Sequence, residues 1–223
     1  MALLLLLVML TACAALPRDM SDKMFTFPQE TNSAHVRLTT SRQNLNAVTV
    51  CLRTFTDLSR DHSPFSLATP TTYNDFLIYI DASNRFPLTV KNKVGIIREL
   101  DYKPNTWHSI CATWDSISGL GQIWLDGRPS SRKFIHSGSS ISGPIIIVLG
   151  QDQDTHGGGF DINQSFVGMM SDVHMWDFVL SPCQIQRYSR DLNITAGNVL
   201  NWRALSFQTI GRVLIEDKQR RCF

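Results

Sequence analysis

Charge is scarce in this chain. Only 18% of its 223 residues are Asp, Glu, Lys or Arg, and the two signs nearly cancel to leave +2. Such a balance gives no bulk attraction to a polyanion, and no basic run exceeds Arg220-Arg221, so no nucleic-acid partner is expected. Glutamate is rarer still: Glu30, Glu99 and Glu216 are the only three, and none sits in a catalytic motif. There is no GxSxG elbow, no HExxH pair and no Walker loop. Gly119-Leu120-Gly121 opens like a dinucleotide loop but lacks the third glycine. The six histidines are scattered, with no zinc spacing. These absences argue against an enzyme. No apolar run reaches the roughly 20 residues a membrane span requires. Five cysteines are too few for a small disulfide-built scaffold, and no repeat or linker divides the chain.

What is present begins at the N-terminus. MALLLLLVML runs into Thr11-Ala12-Cys13-Ala14, a short apolar stretch followed by small residues, as in a secretory signal peptide. Leu10-Thr11-Ala12-Cys13 also has the form of a lipoprotein box, which requires a bacterial source. Residues 1–14 are therefore read as a leader, and the mature protein as secreted with no membrane anchor. Export removes Cys13 and leaves Cys51, Cys111, Cys183 and Cys222, which allow three pairings. Asn163-Gln164-Ser165 and Asn193-Ile194-Thr195 become candidate glycosylation sites.

The rest reads as strands. Ala47–Phe55, Asp75–Ile80 and Trp107–Trp114 are rich in β-branched and aromatic residues. Gln122–Leu125 followed by Asp126-Gly127 is a hairpin signal, because that pair takes the positive φ angles of a type I′ turn. Ile145–Leu149 suits a fully buried strand. Phe166–Met170 and Asp172–Trp176 are read as two more. Ser181-Pro182 marks a helix start, Ser as N-cap and Pro at the first helical position, with Ile185 and Tyr188 on the docking face. Many short strands with one helix predict an all-β sandwich or barrel in one domain.

One loop carries chemistry. Residues 150–165 place Asp152, Asp154 and Asp161 with three glutamines and an asparagine in a glycine-rich segment between apolar strands. Ca²⁺ takes six to eight oxygens from carboxylates, amides and backbone carbonyls, and this loop offers that set. It is not an EF-hand: counted from Asp152, the twelfth position is Asn163 rather than a bidentate Glu.

Around that loop the chain resembles the pentraxin family, over essentially residues 20–223. The matching pieces are Cys111-Ala112-Thr113-Trp114-Asp115-Ser116, Leu149-Gly150-Gln151-Asp152-Gln153-Asp154, Gln164-Ser165-Phe166-Val167-Gly168, Met175 through Pro182, and Asn198 through Leu205. The resemblance implies a flattened antiparallel β-sandwich of jelly-roll type with one α-helix. It implies a homo-oligomeric disc, commonly a pentamer, and two calcium ions per subunit. The ions hold phosphate-type ligands such as phosphocholine or phosphoethanolamine. By position, Asn74, Asp152, Gln153 through its backbone carbonyl, Asp154, Asp161 and Gln164 match metal ligands. Tyr79 matches an aromatic pocket wall and Thr89 a pocket threonine, and Cys51 matches the partner of Cys111. Cys183 and Cys222 lie outside the shared pattern and are read as a second bridge, within one chain or between two.

The chain also departs from the pattern. The usual Asp-Asn on the earlier strand is Tyr73-Asn74-Asp75 here, so Asp75 is the replacement carboxylate. Asp stands for the usual Glu at 152 and 161, and Val94 for a choline-contacting Glu. The signature histidine position holds Ser109, with His108 displaced by one. The expected function is a secreted, calcium-dependent recognition protein of innate immune or acute-phase type. It would bind phosphorylated lipid headgroups or polysaccharides through a multivalent ring, with complement components among its partners. The alternative is a calcium-independent carbohydrate- or protein-binding sandwich module. A glycoside hydrolase on the same sandwich ranks third, for want of paired carboxylates.

Overall fold

The structure is a computed structural model that describes residues 16–98, 100–192 and 194–219. The leader assigned to residues 1–14, Asn193 and Cys222 lie outside those residues. Two large antiparallel sheets form the body of the molecule, with a small two-stranded pair, Asn44–Leu45 and Ile141–Ser142, beside them. The first has the order Arg128–Pro129, Leu120–Leu125, His108–Asp115, Ala47–Phe55, Gly168–Trp176, Lys23–Phe27 and Leu214–Asp217, with Lys133–Phe134 also on Leu120–Leu125. The second has the order Phe207–Ile210, His35–Leu38, Ile146–Leu149, His62–Thr69, Thr72–Ile80, Phe86–Val90 and Lys93–Ile97. This is the flattened sandwich expected, with a single α-helix among the described residues.

Period-2 alternation builds the layers. From Ala47–Phe55, residues Val48, Val50 and Leu52 enter the main core, as do Ile110, Ala112 and Trp114 from His108–Asp115. From the second sheet come Phe65, Leu67, Phe76 and Ile78. The opposite face of the first sheet is not left to water. Cys51, Cys111, Trp124 and Trp176 pack there under Leu180, Ile185 and Tyr188. Strands covered on both faces lose their polar positions, which is why this stretch reads as nearly continuous apolar sequence.

The helix Pro182–Ser189 begins where expected. Ser181 and Gln184 form a reciprocal capping box, and Pro182 opens the first turn. Ile185 and Tyr188 are its buried residues, contributing about 1.5–3 kcal/mol per large side chain. Cys51 and Cys111 face each other across adjacent strands and are joined in a disulfide. The bridge closes a separation of 60 residues, which chain-entropy reasoning values at about 4 kcal/mol. Cys183 is exposed near the helix start.

One expectation needs correcting. The two strands read at Phe166–Met170 and Asp172–Trp176 are a single strand, Gly168–Trp176, with its register shifted between Ser171 and His174. Asp172 takes a φ of +55° there. This irregularity swings its carboxylate toward Arg53 and Lys218. Phe166 lies before the strand, buried against Phe27.

Candidate functional site: an oxygen-rich loop over the second sheet

The loop begins where Ile146–Leu149 ends. Gly150 sits at φ +88°, and a Cβ there would lie 2.5 Å from the Phe27 ring, so only glycine makes this exit. Two glutamines then staple the loop down. Gln151 donates to the carbonyls of Thr31 at 2.7 Å and Ala34 at 2.9 Å. The Gln153 amide donates to Ser66 and to the Ile146 carbonyl, and its Oε1 accepts from the Gly157 N–H. Ser66 alternates with the core residues Phe65 and Leu67, so it faces this loop from the sheet. The Gln153 side chain is thereby committed to structure.

The far end of the loop is a 3-10 turn, Ile162–Gln164, capped by Asp161. Asp161 Oδ1 accepts from the Asn163 N–H and from its amide group. Arg60 clamps the exit by donating to the carbonyls of Asn163 and Ser165, while pairing with Glu30 at 2.8 Å. Asn163 is exposed and its amide is tied to Asp161.

Three oxygens stand out. Asn74 Oδ1, Asp152 Oδ1 and Gln164 Oε1 are buried and have no hydrogen-bond partner. An orphaned buried acceptor costs about 1–3 kcal/mol, a cost that an electropositive partner would remove, and Gln151 Oε1 in the same loop is a fourth. The carboxylates agree. Burial pushes the Asp152 carboxyl up to about 7, with Asp154 adding repulsion. Burial also raises Asp154, and Asp161 raises it further. Like charges held together in partial burial are what a hard cation relieves. Among the described residues, no three His, Cys, Asp or Glu side chains form a metal cluster by themselves.

Asp75 is engaged elsewhere. It is wholly buried, accepts from the Thr69 hydroxyl through Oδ2, and has Lys91 Nζ 3.1 Å from Oδ1. Its carboxylate is committed to those two partners. Tyr73 is 44% exposed.

The pocket residues lie on the same sheet. Tyr79 donates to Asp61 Oδ2 at 3.1 Å. Burial, then Asp61, then Asp152 and Asp161 hold its hydroxyl well above the ordinary tyrosine range, which places it within electrostatic reach of the loop. Thr89 is buried, with Leu77 and Val94 directly opposite on either side. Val94 and Ile96 are 56% and 39% exposed and form an apolar ledge beside it. Lys91 belongs to Asp75 and not to this ledge. Sequence reasoning missed Asp61, Ser66 and Arg60, whose roles arise only when distant segments meet. At the displaced histidine, His108 is buried and its Nδ1 lies 2.7 Å from Asp126, a bond that ties the strand to the Asp126-Gly127 turn.

A model described as the Pentaxin family matches residues 23–217. The chain is similar to C-reactive protein of Rattus norvegicus, at 43% identity over 201 residues, covering 90% of this chain and 86% of the relative. It is also similar to serum amyloid P-component of Rattus norvegicus, at 38% identity with 90% and 87% covered. Among solved structures, the native heptameric SAP-like pentraxin from Limulus polyphemus superposes with a TM-score of 0.81 at 26% identity, covering 89% of this chain and 96% of the other. With that match spanning both sheets and the loop between them, the chain belongs to the pentraxin family.

Proposed function

We propose that this chain is a secreted, non-catalytic recognition protein that binds phosphate-bearing ligands through calcium held by the 150–165 loop. The observation that carries this reading is the trio of buried, unpartnered oxygens on Asn74, Asp152 and Gln164. With Asp154, Asp161 and the Gln153 carbonyl they make an all-oxygen donor set suited to Ca²⁺, and to two ions where Asp152 and Asp154 are shared. Asp75 is left outside the set because Thr69 and Lys91 occupy its carboxylate. Bound calcium supplies the attraction for a phosphate or sulfate oxygen. The chain's own residues then select the remainder of the ligand. Tyr79 walls one side, and Thr89 with Val94 and Ile96 offers an apolar, uncharged ledge. A quaternary ammonium gains most from an anion or an aromatic cage. Val94 supplies neither, so phosphoethanolamine and polyanionic carbohydrate should compete well with phosphocholine.

Weak sites become strong through number. The helix-bearing sheet ends at unlike edges. One carries Phe134, 66% exposed, and the other carries Leu214 and Ile215, 41% and 36% exposed. Unlike edges meet head to tail and close into rings. Five subunits is the family's common number, and the Limulus relative is heptameric.

The test is capture of the purified protein on phosphoethanolamine, phosphocholine and heparin surfaces, with calcium and with chelator. Calcium-dependent capture that Asp152→Asn abolishes supports the reading. Capture that survives chelator supports a calcium-independent lectin-like module instead.

A further inference from the structure

We propose that the helix-bearing sheet holds a second, calcium-independent ligand site: a pocket for a small oxyanion, the carboxylate, sulfate or phosphate group of a polar molecule. A cavity of about 430 Å³ opens among the strand Gly168–Trp176, the end of the helix and the segment after it. His174, Tyr188 and Trp202 are its buried lining, and Asp172, Arg203 and Lys218 are among its charged lining. The 150–165 loop takes no part in it, so the site is independent of the function proposed above.

Two ring N–H groups give the cavity its character. Trp202 is 1% exposed, its ring packs edge-on against Phe25 at 5.3 Å, and its indole N–H is buried without an acceptor. His174 Nδ1 accepts from the Gly197 N–H, which leaves the ring proton on Nε2 as a donor. Burial holds this histidine down to about 4, so it is neutral in ordinary conditions. The charges acting on that ring are Asp172, Arg203 and Lys218, two cations to one anion.

The carboxylates are already engaged. Asp172 is shared by Lys218 at 2.6 Å and Arg53 at 3.6 Å, and Asp191 at the rim is 3.6 Å from Arg53. Asp22 also lines the cavity. Tyr188 donates to the Asp172 carbonyl, which fixes the wall. Three carboxylates and two cations line the cavity; with Asp172 held by Lys218 and Arg53 and Asp191 by Arg53, the fixed ring N–H donors and the exposed Arg203 are the elements left for anion recognition. A single small oxyanion would satisfy the orphaned indole.

The experiment is titration calorimetry of the mature protein in chelator, with inorganic phosphate, sulfate and glucuronate as probes and sodium chloride at matched ionic strength as reference. Saturable binding with a Kd of about 1 mM is expected. It should weaken about tenfold in Arg203→Gln and in Trp202→Phe, and hold unchanged in Asp152→Asn. Trp202 belongs to the core, so the exposed Arg203→Gln keeps the test decisive if Trp202→Phe unfolds. Which probe binds most tightly separates phosphate from sulfate and sugar-acid sources. Absence of saturable binding, equal binding by Arg203→Gln, or loss of binding in Asp152→Asn would each overturn the proposal.

Discussion

Replacing Lys91 by Met should cost this fold about 3 kcal/mol, and the reason lies in what it leaves behind. Asp75 is wholly buried, with Lys91 Nζ at 3.1 Å as its countercharge and the Thr69 hydroxyl as its hydrogen-bond donor. Removing one partner of a buried pair strands the other charge, a change worth about 3–5 kcal/mol. The lower end applies, because the Lys91 side chain is 17% exposed and water can approach along it. Met keeps the aliphatic stem. It also keeps the backbone cost of the Lys91-Asn92 turn, where φ is +52° and +58°. At about 2–4 °C per kcal/mol for a chain of this size, the melting temperature should fall by about 6–12 °C. Removing both charges, Lys91→Met with Asp75→Asn, should recover most of the loss, to within about 1 kcal/mol of the parent. The assay is thermal and urea unfolding of the four proteins in chelator, followed by calcium titration of those that fold. Asp75→Asn should retain calcium affinity. A Lys91→Met cost below about 1 kcal/mol would refute the ion-pair account. Loss of calcium binding in a folded Asp75→Asn would refute its exclusion from the metal set.

Other consequences follow from the same structure. His62 is 1% exposed and its pKa is held down to about 4 by burial. The unfolded chain takes up that proton first, so His62's contribution is complete above about pH 6.5 and is lost as pH falls toward 4. At 1.36 kcal/mol per unit this approaches about 3 kcal/mol, and His62→Gln should flatten acid unfolding across that window. Cys183 is exposed and unbridged among the described residues. If it pairs with Cys222 within one chain, Cys222→Ser slows the non-reduced monomer that still holds the Cys51–Cys111 bridge. Pairing between chains gives a reducible dimer that Cys222→Ser abolishes, and a monomer unchanged by Cys222→Ser contradicts both.

What was legible in the sequence had local causes. Ser181-Pro182 announces the helix because N-cap and proline geometry are properties of adjacent residues. Asp126-Gly127 announces its hairpin because both residues accept positive φ, and both adopt it at +50° and +76°. The crowding of Asp152, Asp154 and Asp161 was visible as composition, and the fold leaves Asp154 close enough to raise Asp152 and Asp161 close enough to raise Asp154. The remainder depends on partners far apart in the chain. The strand His62–Thr69 contains Ser63, Pro64 and Ser66 and carries no strand signature. Yet it is buried throughout, because Gln153 satisfies Ser66 across 87 residues. Asp75 looked like a metal ligand from its place beside Asn74, and only Lys91, in the turn after the next strand, reveals its other role. The Asp172 irregularity lies inside one continuous strand, and its carboxylate meets Arg53 and Lys218, partners far away in the chain.

Calcium calorimetry on the mature protein tests the central claim most directly. Two ions per chain are predicted, with binding abolished in Asp152→Asn and weakened in Asn74→Ala and Gln164→Ala, the variants that remove the unpartnered oxygens. Absence of calcium heat at millimolar concentration, or binding that survives Asp152→Asn unchanged, would contradict the account and leave this loop a structural element alone.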